Sequence, residues 1–167
     1  MITRDRNRIK IPYAFIDKIL LYIKGFTGGD KLSKNVTVQA INIKNDYDIW
    51  LGTNGLGLAR NVGTEFRRYT TPQIPSNIIV SLYRDTSDRL WIGTSNGATI
   101  YHEHKFNQIE DAKNVISAFI TIGNDSTLLA ASAGIQLYHN GRLDDFKTRS
   151  AADSSNAQCF TLSGRKL

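Results

Sequence analysis

Asp48-Ile-Trp-Leu-Gly-Thr-Asn-Gly-Leu-Gly57 returns along the chain as Arg89-Leu-Trp-Ile-Gly-Thr-Ser-Asn-Gly97, and a worn copy follows at Thr127-Leu-Leu-Ala-Ala-Ser-Ala-Gly134. Reading Leu129 as the third counterpart of Trp50 and Trp91 gives steps of 41 and 38 residues. A period of about 40 residues belongs to stacked small sheets, one sheet to a repeat. The interval therefore points to architecture before it points to chemistry, because repeat folds place function in loops and assemblies.

Working outward, each repeat has the same parts. An Asn opens a β-branched run at Asn35, Asn77 and Asn114. A polar turn follows at Lys44-Asn-Asp, Asp85-Thr-Ser-Asp88 and Gly123-Asn-Asp-Ser126, and the Trp or Leu run comes next. The distances Asn35–Trp50, Asn77–Trp91 and Asn114–Leu129 are 15, 14 and 15 residues. Such runs, joined by short Asn, Asp, Gly and Ser turns, make antiparallel hairpins. A third run closes each repeat at Leu58-Ala-Arg, Ala98-Thr-Ile-Tyr101 and Ile135-Gln-Leu-Tyr138, with Phe66, Phe106 and Phe146 beyond it.

Helical periodicity is missing from this region, so the chain is expected to be all-β: a partial β-propeller of about three to four four-stranded blades. Blade repeats are placed at 35–73, 74–111 and 112–146, the last degenerate. Residues 1–34 form a basic flank in which Lys18-Ile-Leu-Leu-Tyr-Ile-Lys24 reads as the last strand of a preceding blade. Residues 147–167 hold the start of an incomplete blade at Asn156-Ala-Gln-Cys-Phe-Thr-Leu162.

The motif residues suit blade packing. A Trp supplies a large apolar plate. Gly52 and Gly93 permit close backbone approach beside it. Thr53 and Thr94 can hydrogen-bond across a turn, and Gly57, Gly97 and Gly134 suit turns that need positive φ. The same Trp at the same blade position reads as packing rather than as a sugar-stacking surface, which needs an exposed ring.

The formal net charge of +6 is informative only once it is placed. Residues 1–34 carry a net +5, residues 35–141 a net −1, and residues 142–167 a net +2. The repeats are near neutral, which argues against nucleic acid as a partner, since such a domain gathers its basic residues on one folded face. Arg4, Arg6, Arg8 and Lys10 ahead of the apolar run Ile11–Ile23 outline a signal peptide or anchor. Asp17 and Lys18 interrupt that run, it is too short to span a bilayer, and no small-residue cleavage site follows. A strand or short helix packed on the first repeat is expected there instead. A lone cysteine, Cys159, rules out an internal disulfide framework.

The pattern Leu32-Ser-x-Asn35 and Ile74-Pro-Ser-Asn77, followed by Trp-Leu/Ile-Gly-Thr and Gly, resembles the two-component regulator propeller repeat. That family's motif runs as Leu-Ser-x-Asn-x-Val, Asp-x-x-Gly, Leu-Trp-Ile-Gly-Thr, Gly-Leu and a closing Tyr. Asn77, Asp85, Leu90, Trp91, Ile92, Gly93, Thr94, Gly97 and Tyr101 match it, as do Asn35, Ile49, Trp50, Leu51, Gly52, Thr53 and Gly57. The third copy departs, with Leu129, Ala131 and Ser132 read in place of Trp, Gly and Thr. The resemblance covers about residues 30–146.

It implies the periplasmic sensor portion of hybrid histidine kinases of Bacteroidetes, often sensing glycans. Neither a phosphoacceptor motif nor an ATP-binding glycine motif accompanies it. What it implies here is a sensory, ligand-binding propeller segment without catalysis of its own, with a carbohydrate ligand and no cofactor. The remaining blades or a second chain would be partners, and a homo-oligomer is expected if the chain is not a fragment. The parent sensor would be periplasmic; expressed alone without a signal peptide, the chain would be cytoplasmic. The rival readings are a propeller lyase of the streptogramin-inactivating type, which has similar Asp-x-x-Gly-x-Leu-Trp repeats, and a protein-binding scaffold.

The search for chemistry returns no catalytic, ligand-binding or metal residue. His102-Glu-His104 is read as two imidazoles on one face of a strand, a metal-capable spacing without an evident third ligand. A solvated outer strand is expected there. His139 reads as a turn residue and Cys159 as a small buried one. Gly25-Phe-Thr-Gly-Gly-Asp-Lys31 fails the phosphate-loop spacing, because Asp30 precedes the Lys. Gly55-Leu-Gly57 lacks the third Gly of a dinucleotide fingerprint, and Asp85 and Asp88 fall in an expected hairpin turn.

Overall fold

A computed structural model describes residues 37–45, 47–62, 65–123 and 125–146. They fall within the unit Val36–Leu167. The readings made on the flanks, including Gly25–Lys31, Cys159 and both partial repeats, lie outside the described residues.

Among the described residues, twelve strands form three four-stranded antiparallel sheets in sequence order, the blades. Blade 1 holds β1 Val38–Asn45, β2 Asp48–Thr53, β3 Leu58–Val62 and β4 Glu65–Tyr69. Blade 2 holds β5 Ile79–Arg84, β6 Leu90–Thr94, β7 Gly97–His102 and β8 Lys105–Ile109. Blade 3 holds β9 Ile116–Ile122, β10 Ser126–Ala131, β11 Gly134–His139 and β12 Arg142–Asp145. Each blade is a plain meander, as short runs with tight turns dictate.

Side chains alternate between the two faces of a strand, and both faces of the middle blade are buried. Leu90 and Ile92 pack with Trp50, Leu58, Tyr69 and Ile79 in the core between blades 1 and 2. Trp91, between them in sequence, packs with Ile116, Phe119 and Leu129 in the core between blades 2 and 3. The motif thus points one apolar plate forward and two aliphatic side chains back.

Backbone bonds tie successive blades. The Gly57 amide donates to the Asn77 carbonyl at 2.8 Å, and the Gly97 amide donates to the Asn114 carbonyl at the same distance. Gly97 has φ 110°, and a Cβ there would lie 2.1 Å from the Ala112 carbonyl oxygen. A left-handed conformation and a backbone pressed against it leave room only for glycine. Within each turn, the Thr53 hydroxyl donates to the Gly57 carbonyl at 2.7 Å and the Thr94 hydroxyl to the Gly97 carbonyl at 2.8 Å.

The register corrects the third repeat. Trp50 pairs with Asn42, Trp91 with Tyr83 and Leu128 with Ile120. Gly52, Gly93 and Ala130 pair with Ala40, Ser81 and Ala118, and the same one-residue skip follows in all three sheets. Leu128 is therefore the counterpart of Trp91, not Leu129, and Ala130 and Ala131 replace Gly and Thr. Leu129 matches Ile92 and faces backward into the core with Trp91. The correction makes Asn114–Leu128 the same 14 residues as Asn77–Trp91. Phe146 likewise is not the counterpart of Phe106. Tyr101 pairs with Phe106 and Tyr138 with Leu143, so Leu143 holds that place and Phe146 lies beyond β12.

Candidate functional site

Both Trp rings are fully buried, so neither offers a face to a sugar. Each indole N–H is held by a carboxylate, but from different places. The Trp50 Nε1–H donates to Asp48 Oδ1 at 2.9 Å, from two residues earlier on the same strand. The Trp91 Nε1–H donates to Asp85 Oδ2 at 2.8 Å, from the preceding turn. Asp85 also accepts from the Ser87 and Arg89 amides and from Arg89 Nε. Burial raises the Asp85 pKa, but hydrogen bonds from Trp91 and Arg89 and the Arg89 charge outweigh it, and the net shift is downward. Asp85 is thus a turn organiser, and its carboxylate is committed to four hydrogen bonds rather than left open for catalysis.

Asp88 stands where the family pattern has Gly and adopts φ 62°. Lys44 Nζ, 2.6 Å away, and Arg84 bond it, and its pKa is lowered by the Lys44 hydrogen bond first. Arg84 continues to Asp48 at 2.9 Å and to Asn42, and Arg60 bonds Asp48 and the Tyr101 hydroxyl. Burial raises the Tyr101 pKa, with the Arg60 charge opposing it. These groups bridge blades 1 and 2. Composition and spacing gave no sign of Arg60 or Arg84, because their partners lie about 40 residues away in sequence.

The His102-Glu-His104 reading is corrected. His102 ends β7, whereas Glu103 and His104 form the two-residue turn into β8, with φ 48° and 64°. The two imidazoles do not share a strand face. His104 Nδ1 sits 3.4 Å from the Tyr101 hydroxyl. His139 ends β11, where it bonds Ser126 and Asn140, and Asn140-Gly141 make the turn. Among the described residues no group of three or more His, Cys, Asp or Glu is placed to hold a metal ion.

A cleft of about 630 Å³ opens beside β8. One side is the run Phe106–Glu110, and Ala112 and Lys113 continue it. Pro75, from the link between blades 1 and 2, and Asn96, from the β6–β7 turn, form the other side. Gln108 Nε2 donates to the Pro72 carbonyl at 2.5 Å and fixes that link against the strand. Asn107, Gln108, Glu110 and Lys113 are exposed. The sequence reading named none of these as site residues, since a cleft built from one strand edge and two loops has no motif.

Residues 73–96 match the family model described as two component regulator propeller. The chain matches no curated protein. Two similar solved structures are described as the extracellular domains of hybrid two component systems of B. thetaiotaomicron. One has a TM-score of 0.56 at 16% identity over 70% of this chain and 18% of that one. The other has a TM-score of 0.56 at 24% identity over 75% and 19%. A third is a catalytically inactive variant of virginiamycin B lyase from Staphylococcus aureus with quinupristin, with a TM-score of 0.56 at 8% identity over 75% and 46%. The chain spans about a fifth of those two extracellular domains and just under half of the lyase. The matched stretch from Gln73 to Asn96 carries the turn of Asp85, the plate of Trp91 and the close approach at Gly93, and is similar to a two component regulator propeller repeat.

Proposed function

We propose that this chain is a sensory, ligand-binding segment of the propeller of a two-component regulator, without catalytic activity of its own. The match at residues 73–96 carries the reading, because its residues form β5 and β6 of blade 2 and supply Ile74, Ile79, Leu90 and Ile92 to one junction and Trp91 to the other. The ligand is a carbohydrate, held where loops converge on the propeller's central face or at a domain interface. The parent protein is a periplasmic sensor, and signalling proceeds through a shift in domain or dimer geometry. The likeness to two extracellular domains supports the location. The remaining blades come from the parent protein or from a second copy of this chain.

Thermal-shift screening with oligosaccharides and with divalent cations tests the ligand. Stabilisation by an oligosaccharide alone supports the sensor. Metal-dependent turnover of a streptogramin would replace it with the lyase reading, for which the fold likeness to the lyase is the one supporting observation. Light scattering of the purified chain tests the assembly: a folded, non-associating monomer would refute a self-completing ring.

A further inference from the structure

We infer that Asn140-Gly141, the turn between β11 and β12, is a modification site at which asparagine converts spontaneously to aspartate and isoaspartate. The chain holds three Asn-Gly pairs: Asn54-Gly55, Asn96-Gly97 and Asn140-Gly141. Asparagine is a thermolabile residue, and a following glycine, having no Cβ, leaves its backbone nitrogen open to react. The Gly141 nitrogen attacks Cγ of Asn140. The N–Cγ bond forms, the Cγ–Nδ2 bond breaks, and Nδ2 leaves as ammonia with the proton of the Gly141 N–H. Solvent water then opens the resulting ring at either carbonyl. One opening gives aspartate; the other routes the main chain through Cγ and gives isoaspartate.

The fold separates the three pairs. In the first two the nucleophile is occupied: the Gly55 amide donates to the Asn77 carbonyl at 3.1 Å and the Gly97 amide to the Asn114 carbonyl at 2.8 Å. Both turns are thereby stitched to the start of the following blade, and Gly97 is buried as well. Among the described residues the Gly141 amide donates to nothing. A two-residue hairpin pairs the residues flanking its turn, here His139 and Arg142, and leaves the turn's own amides free. Asn140 and Gly141 are exposed, and a Cβ on Gly141 would meet nothing within 4 Å. The Asn140 side chain is held only by the exposed His139 ring, whose Nε2 lies 2.9 Å from Nδ2, the nitrogen that leaves. Attack requires the turn to open, and β12 is four residues long, almost wholly exposed and last in its sheet, so opening costs little. Isoaspartate adds a main-chain carbon to a turn held at φ 50° and 78°, and places a new carboxylate on the hairpin that carries Asp144 and Asp145. Both changes loosen β12.

The test is a time course on the full chain in mildly alkaline buffer at physiological temperature, followed by peptide mapping in the mass spectrometer. The amide-to-acid mass gain is assigned to Asn54, Asn96 or Asn140 by fragmentation, and isoaspartate is scored by enzymatic methyl transfer to the digested peptides. In the folded chain Asn140 should convert about tenfold or more faster than Asn54 and Asn96, whose glycine amides must first break a bond to the next blade. In concentrated urea the three rates should converge, because the local Asn-Gly sequence is then all that remains. Gly141→Ala crowds the attacking nitrogen and should slow conversion at Asn140 by about tenfold or more while leaving Asn54 and Asn96 unchanged. The comparison of folded and urea-unfolded wild type stands even where that variant folds poorly. Conversion at Asn140 no faster than at Asn54 or Asn96 in the folded chain, a preference that persists undiminished in urea, or an unchanged rate in a folded Gly141→Ala variant would overturn the proposal.

Discussion

The junction of blades 1 and 2 and the junction of blades 2 and 3 share one skeleton and are stabilised differently. In both, a Trp plate faces forward, a Gly beside it admits the next blade, and a turn Gly binds the next Asn carbonyl. The first junction adds charge: Arg84 to Asp48, Lys44 to Asp88, and the Arg60 guanidinium 5.0 Å over Trp50 and 5.3 Å over Tyr101. The second relies on ring packing and uncharged hydrogen bonds, with the Ser81 hydroxyl donating to the Ile116 carbonyl at 2.9 Å. Trp91 meets Phe119 at 5.7 Å and Tyr138 at 5.4 Å, and among the described residues no ion pair crosses it. The repeat motif therefore encodes how blades approach, while the choice between charge and apolar area is left to residues outside it.

The close approach gives the largest way to break this comparison. A Cβ on Gly93 would lie 2.4 Å from the Ile116 carbonyl oxygen, a backbone atom that cannot move alone. A Cβ on Gly52 would meet only side-chain atoms, Ile79 Cγ2 at 2.5 Å and Ile79 Cβ at 2.8 Å, so relief needs a small shift of Ile79 rather than of a carbonyl in the next blade. Gly93→Ala is expected to cost about 3 kcal/mol or more, and Gly52→Ala about 1–2 kcal/mol. Urea unfolding of both variants measures the difference; equal costs would mean that the two junctions yield alike.

Next comes the anchor of the second plate. Asp85→Asn puts an amide where Trp91 Nε1–H and Arg89 both need an acceptor, and should cost about 2–3 kcal/mol. The pH dependence follows from its lowered pKa. A carboxyl whose folded pKa lies below its unfolded one stabilises fully above the ordinary carboxylate range. That contribution falls away as the pH drops through the folded value. Wild type should therefore lose stability on acidification below about pH 4, and Asp85→Asn should lose less over the same window. Parallel acid-unfolding curves would reject Asp85 as the titrating anchor.

These anchors show what was legible in the sequence. The all-β class, the meander and the forward-facing Trp were readable, because hydrophobic period and turn chemistry are local. The third repeat was misread by one residue, because Leu128 and Leu129 are both apolar and only pairing partners tell the faces apart. Phe146 was misplaced for a related reason: aromatic identity was followed where strand register decides. His102 and His104 were assigned to one strand because a two-residue turn normally announces itself with Asn or Gly, as at Asn140-Gly141. The cleft along β8 arises from segments far apart in sequence and had no local signal.

Those two turns also separate the rims of the junctions. Glu103 and His104 hold positive φ without glycine, whereas Asn140-Gly141 meets the same demand with residues suited to it. Replacing Glu103 with Asn and His104 with Gly should stabilise by about 0.5–1 kcal/mol, read as a rise in melting temperature. No gain would mean that the Tyr101–His104 contact offsets the backbone cost.

The smallest effect tests whether charge matters at the first junction. Lys44 and Asp88 are both about half exposed and 2.6 Å apart. Water and salt screen such a pair, so Lys44→Ala should cost no more than about 0.5 kcal/mol. Arg84 still holds Asp88 after that change, which limits the loss further. The informative readout is the dependence on ionic strength. With the Debye length shrinking from about 10 Å at 0.1 M to about 3 Å at 1 M salt, the difference between Lys44→Ala and wild type should vanish at high salt. A difference that persists at 1 M would show that the Lys44 stem contributes by covering apolar surface near blade 1, and the contrast between the junctions would then be one of packing rather than of charge.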